Sequence, residues 1–234
     1  MKKILFLLLL FFSVSGRAQV ASAHAIEIGW NNLQVKLPVL DHIVDTFNMT
    51  HPYLSNPLDH ITWMKGPDFN STVYLKHFVY GGIIGFQSAR CEAYGVDTSF
   101  NPPNELVLVM RLRKIHIGLA GEFYIFQRPK FCWTIGGAVD FATFHTGLKY
   151  GIAKGLAIPS AHDNFLIMGR PQMTIAFGKH PYFSIRPYYE MSLYDANFYD
   201  LVKKLDIPQS AKSNYRQPVR YIGITLGFGI WDEN

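Results

Sequence analysis

Large apolar residues recur at every second position along most of the chain, the spacing of a strand with one apolar face. The segment 218–231 shows it most plainly. Ile222, Ile224, Leu226, Phe228 and Ile230 form one face, and Gly223, Thr225, Gly227, Gly229 and Trp231 form the other. In 131–144, Phe131, Trp133, Ile135, Val139 and Phe141 oppose Cys132, Thr134, Gly136, Ala138, Asp140 and Ala142. In 164–178, Phe165, Ile167, Met173, Ile175 and Phe177 oppose Arg170, Gln172, Thr174 and Ala176, with Leu166 and Met168 blurring the start. In 182–194, Phe183, Ile185, Tyr189, Met191 and Leu193 oppose Ser184, Arg186, Tyr188, Glu190 and Ser192. Near the front, 25–32 alternates through Ile26, Ile28 and Trp30. A strand within 73–90 has its phase interrupted by Gly81, Gly82 and Gly85.

The stretch 105–126 changes phase. Leu106, Leu108, Met110 and Leu112 are even, whereas Ile115, Ile117, Leu119, Phe123 and Ile125 are odd. A two-residue hairpin at Arg113-Lys114 produces such a change and brings the total to eight strands. A bulge in one long strand also produces it, and an eighth strand then lies within 38–66. The expectation adopted is the hairpin and eight strands. The segment 37–70 is the least strand-like: Val39, Leu40, Ile43, Val44 and Phe47 have helical spacing among Pro38, Pro52, Pro57 and Pro67. It reads as a long external loop with a turn or two of helix, or as a lumen plug.

In a soluble sandwich the face opposite the apolar one carries charge; here it carries small residues and one or two charges. Strands of about 10 residues, apolar on one side and small or polar on the other, describe a closed antiparallel transmembrane β-barrel, lipid outside and a polar lumen within. Only a closed sheet leaves no unpaired backbone in hydrocarbon. Connections agree: 127–130 and 178–181 are short, whereas 145–164 and 195–218 are long and polar. Phe126, Phe131, Trp133, Phe177, Tyr182 and Phe183 crowd the short turns, as an interfacial girdle does.

The phase places Glu122, Asp140, Arg170, Arg186 and Glu190 in the lumen, with His116 and Arg111 beside them. An eight-stranded barrel is just wide enough to fill with side chains, so these charges must pair into an ionic plug. The other reading of the same residues is a selective constriction or substrate site.

Composition sharpens this picture. The 234 residues are 49% hydrophobic and 17% charged, and they include 18 Phe, 13 Tyr and 4 Trp, which excludes a disordered polymer. A net charge of +5 includes Lys2, Lys3 and Arg17. These belong to a signal-like segment, 1–18: a cationic start, the apolar run 4–12, and a small, polar 13–18. Nine apolar residues rise only ~13 Å as a helix, too short to span a bilayer. Cleavage after Ala18 is preferred to cleavage after Ala23. Without those three residues the chain carries 19 basic against 17 acidic side chains, no footprint for nucleic acid. The nine His are scattered without zinc spacing, so neither metal nor cofactor is expected. Cys91 and Cys132 could pair after export. Ser160, His162 and Asp163, with His145 at the lip, are the candidates for a nucleophile and base, but neither a His-x-Ser nor a Gly-x-Ser-x-Gly motif is present and the string is ordinary loop composition.

Export, about eight alternating strands and the terminal run 221–231 (YIGITLGFGIW) resemble the small Bacteroidetes-type outer membrane β-barrel proteins of Gram-negative bacteria. That resemblance implies outer-membrane lipid around the barrel and recognition by the barrel-assembly machinery through Gly223, Leu226, Phe228, Ile230 and Trp231. Here the chain continues through Asp232, Glu233 and Asn234, so the aromatic is not terminal. The expected function is a structural or interaction role through external loops toward an unknown partner. The alternatives are a narrow passive pore, a lipid-A-modifying enzyme and a secretion-system assembly factor.

Overall fold

The computed structural model describes residues 23–99, 103–128, 130–152, 160–178, 181–205, 207–208 and 212–232. The signal-like segment 1–18 lies outside them. The elements are β1 (Ala23–Lys36), α1 (Pro38–Thr50), β2 (Leu54–Asn56), β3 (Trp63–Tyr74), β4 (Phe78–Asp97), β5 (Asn104–Arg128), β6 (Phe131–Ile152), β7 (Ser160–Gly178), β8 (Tyr182–Asn197), α2 (Tyr199–Lys204), a 3-10 turn (Lys212–Tyr215) and β9 (Arg216–Asp232). Antiparallel neighbours run β1-β3-β4-β5-β6-β7-β8-β9, and β9 pairs back with β1, closing a ring of eight. The three-residue β2 attaches to β4 as a ninth piece outside the ring.

One end carries the short connections β3–β4, β5–β6 and β7–β8 and the start of β1; the other carries α1, β2 and α2. We call them the turn end and the loop end. At the turn end Gly178 has φ +94°, a conformation glycine adopts without strain, and its N–H donates to the Lys130 carbonyl.

The phase change at 112–115 is not a hairpin. β5 is one strand of 25 residues, paired without interruption to β4 from Asn104 to Phe123. From 106 to 124 its even positions face inward, Leu106, Leu108, Met110, Leu112, Lys114, His116 and Glu122 all being buried, and the phase shifts only at the irregularity between Tyr124 and Phe126. What changes is the surroundings. Over 115–125 the outside bears Ile115, Ile117, Leu119, Phe123 and Ile125, each more than half exposed, and the inside is polar. Over 106–113 the inside is apolar and the outside includes Arg111 and Arg113. Eleven residues match one crossing of a hydrocarbon layer, whereas 25 residues run ~80 Å, so the wall continues beyond any such layer. Lys114, read as a turn residue, is buried, and Arg111 faces outward rather than into the lumen. The eighth strand is β3, most of it within the segment read as loop or plug.

Leu40, Ile43, Val44 and Phe47 of α1 recur at i, i+3, i+4 and i+7 and are buried, with Pro38 starting the helix. They close the loop-end mouth against Leu33, Leu106, Leu108, Met110, Phe144, Leu166 and Met168, joined by Phe198, Leu201 and Val202 around α2. The side chain of Asn48 clamps Leu58, donating to its carbonyl at 3.0 Å and accepting from its N–H at 2.9 Å. Leu166 and Met168, which blurred the alternation of β7, belong to this apolar cap. The long connections are shorter than expected, because β6 runs to Ile152 and β7 starts at Ser160. At the turn end, Phe126, Phe177 and Phe183 face outward, but Tyr182 turns inward onto Trp231 at 5.5 Å between ring centroids.

Candidate functional site

Between the apolar cap and the turn-end cluster of Ala23, Ala25, Tyr74, Val79, Cys132, Ala176 and Tyr182, the lumen is filled by polar side chains. Every strand of the ring contributes to it, because alternation sends every second residue inward.

Three buried cations organise the network. Lys114 Nζ lies 2.5 Å from Glu190 Oε2 and 5.1 Å from the Tyr221 ring centroid. Arg170 grips Asp140 with two nitrogens, Nε to Oδ2 at 3.1 Å and Nη2 to Oδ1 at 3.2 Å, and lies over the Tyr188 ring at 5.1 Å. Arg186 meets Glu27 at 3.2 Å and donates from Nε to Thr174 Oγ1 at 3.1 Å. Glu122 accepts from Thr134, Gln172 and Thr174. Asp68 accepts from Asn31 at 2.7 Å, Gln87 at 2.6 Å and Thr225 at 3.3 Å. Asn70 and Ser184 donate to the two oxygens of Glu27 at 2.9 and 2.6 Å.

Glycines opposite these groups are spaces for them. A side chain at Gly118 would strike the Asp140 carboxylate, one at Gly227 would strike Glu27 and Ser184, and one at Gly223 would strike the Tyr188 ring. The bare face of β9 is therefore what lets its neighbours' polar groups reach the axis.

The structure thus places Glu122, Asp140, Arg170, Arg186 and Glu190 in the lumen, each no more than 7% exposed, and His116 with them. Sequence reasoning missed Glu27, Asp68 and Lys114. The alternation of 25–32 already turned Glu27 inward, whereas Asp68 and Lys114 lay in the segments misread as loop and hairpin. Neither ring nitrogen of His116 has a partner among the described residues. A cavity of about 20 Å³ beside Glu122, Asn70, Gln172 and Arg186 is room for a single water. Among the described residues no group of His, Cys, Asp and Glu has the arrangement of a metal site, and Cys91 and Cys132 are buried free thiols, not a disulfide.

His145 Nδ1 and Asp163 Oδ1 are 2.5 Å apart on adjacent strands, on the outer wall. Ser160 and His162 pair in register with Leu148 and Thr146, and their side chains lie outside those described. At the loop end His60 Nε2 lies 2.9 Å from Asp45 Oδ1 of α1, and this bond raises the His60 pKa above its ordinary value. Burial raises that of Asp41 nearby.

No family model matches the chain, and no curated protein matches its sequence. Solved structures align with it over most of its length at low identity. The attachment invasion locus protein Ail of Yersinia pestis, solved with the heparin analogue sucrose octasulfate, is 14% identical, with 91% of this chain and 100% of that one covered and a TM-score of 0.40. Neisserial surface protein A is 9% identical, with 89% and 97% covered and a TM-score of 0.38. The outer membrane protease OmpT from Escherichia coli is 11% identical, with 92% and 98% covered and a TM-score of 0.39. Likenesses this distant carry no functional inference.

Proposed function

We propose that this is an exported, non-conducting β-barrel of a bacterial outer membrane, whose loop end meets an external partner. The observation that carries the reading is the inversion along β5: apolar outside and polar inside over one bilayer crossing, then apolar inside beyond it. The belt includes Ile28, Phe69, Ile84, Ile117, Phe141, Phe165, Ile185 and Leu226, one from each wall strand and each at least 38% exposed. Monomeric soluble proteins do not leave so continuous an apolar band in water. Among the described residues no helix is long and apolar enough to cross a membrane, so the strands would do so.

Non-conduction follows from the two apolar seals and the paired charges between them. The work of the protein then falls to its outside and its loop end, where α1, the 51–62 segment and α2 form the presented surface. Residues 1–18 serve as the cleaved export signal. Gly223, Leu226, Phe228, Ile230 and Trp231 serve as the assembly signal, with Leu226, Phe228 and Ile230 outward on the closing strand. Planar-bilayer recording tests the closed lumen: the refolded protein gives no discrete conductance steps, and steps at modest voltage would refute it.

A further inference from the structure

Just past the apolar belt on the loop side, the outer wall of β3, β4 and β5 carries a cluster of cations. Lys65 pairs in register with Ser88, and Ser88 with Arg113, so two cations flank a hydroxyl across three adjacent strands. On β4 and β5 Arg90 stands directly opposite Arg111. All five side chains lie on the outward side: Ser88 and Arg113 adjoin Phe86 and Ile115 of the belt, Lys65 lies beyond Phe69 and Pro67, and Arg90 and Arg111 are one outward position further on. Glu92 bridges Arg90; among the described residues no carboxylate bridges Lys65, Arg111 or Arg113. Like charges directly opposite on neighbouring strands repel. Glu92 offsets part of that repulsion at Arg90, whereas among the described residues Lys65, Arg111 and Arg113 have no bridging carboxylate, and an anion lying between the strands would complete the neutralisation.

The outward charges past the belt differ around the wall: Asp163 and Asp195 on β7 and β8, and Lys36 opposite Arg220 on β1 and β9, whereas β3, β4 and β5 bring four cations together. Beside the patch the wall itself opens. β3 leaves β4 after Lys65, β2 rejoins it only at Tyr94, and a crevice of about 590 Å³ remains between Trp63, Asn56, Asp59, Thr62, Arg90 and Glu92. An indole face with amide, carboxylate and hydroxyl groups around it suits a sugar ring.

We propose that Lys65, Ser88, Arg90, Arg111 and Arg113 bind the phosphate of a phosphorylated glycolipid headgroup, with its sugar in the Trp63 crevice. The site rests on the membrane reading above, which sets these residues at headgroup depth. Its acyl chains would lie along Phe69, Phe86 and Ile115.

The test is native mass spectrometry of the refolded protein released from micelles containing bisphosphorylated lipid A, the same lipid stripped of phosphate, phosphatidylglycerol, or inorganic phosphate. The wild type retains bisphosphorylated lipid A. Retention falls about tenfold or more in Arg111→Gln/Arg113→Gln and again in Lys65→Gln/Arg90→Gln, as expected for lost charge-assisted contacts. The stripped lipid is held no better than by the variants, and inorganic phosphate leaves no adduct. Equal retention of lipid A by wild type and both variants overturns the site. Equal retention of phosphatidylglycerol overturns the glycolipid assignment. Flotation with vesicles separates the two levels: a wild type that does not float defeats the membrane reading, whereas one that floats but ignores lipid phosphate defeats only the site. The substituted side chains are outward-facing, and both variants should keep the mobility of the folded band on unheated gels.

Discussion

Arg170→Met removes one charge from the lumen while keeping an unbranched stem of similar reach, so its cost reports electrostatics more than a cavity. Among the described residues five buried carboxylates (Glu27, Asp68, Glu122, Asp140 and Glu190) face three buried cations, Lys114, Arg170 and Arg186. Arg170 makes one hydrogen bond and a second ion-pair contact to Asp140, and its loss leaves that carboxylate uncompensated among four others. Removing one partner of a buried pair costs about 3–5 kcal/mol. The excess of acids predicts an asymmetry: Asp140→Asn alone should cost markedly less. Added to Arg170→Met, it should recover more than half of the loss, because the stranded charge is gone. Urea unfolding in lipid vesicles, followed by tryptophan emission and by the shift between folded and heated gel bands, gives the four free energies of the cycle. If Arg170→Met lies within about 1 kcal/mol of wild type, or Asp140→Asn recovers nothing in its background, the lumen is not held by paired charge.

Other expectations are as direct. Gly118→Val drives a side chain into the Asp140 carboxylate and should abolish the folded band, whereas Gly169→Ala, with open space around it, should leave the band intact. Phe47→Ala empties the centre of the cap at a cost of about 3–5 kcal/mol if the cap unfolds with the barrel; faster hydrogen exchange confined to α1 and the 51–62 segment would show that the cap opens alone. His60 has its folded pKa raised by Asp45, so its contribution is fully present below its unfolded pKa and is lost as pH rises through the raised value. Exchange in 57–62 should therefore quicken from mildly acidic to alkaline pH in wild type, beyond the intrinsic rate, and show no such step in His60→Ala.

Where one face meets a uniform surrounding, as in 131–144, 182–194 and 218–231, alternation alone identified the wall and which side of it is outside. β5 defeated the same reasoning because its surroundings change partway. Leu106, Leu108, Met110 and Leu112 are apolar because they point into a protein core, and Ile117 and Leu119 because they point away from one. Hydrophobicity records contact with something apolar and does not say what, so a change of partner looks like a change of phase. The same ambiguity hid Lys114 in a supposed turn. Asp68 was missed for a different reason: Gly66 and Pro67 interrupt the apolar pattern along β3, though not the strand itself, just where its inward acid would have announced the lumen. Asp140, Arg170, Arg186 and Glu190 were visible because each sits inside an unbroken alternation, but their partners lie on other strands, and only closure of the ring sets which acid meets which base. The cap could be read as a helix from Leu40, Ile43, Val44 and Phe47, but not as a lid, since its receiving surface comes from strands far along the chain.

The direction in which the belt faces can be measured by spin labels placed one at a time along β5 in the vesicle-bound protein, with Cys91 and Cys132 replaced by alanine. Labels at 115, 117, 119 and 123 should be relaxed by oxygen and shielded from a water-soluble nickel reagent, and labels at 107, 109 and 111 should show the reverse. Nickel access at 117 and 119, or a mature protein that stays monomeric in buffer without detergent, would contradict the account.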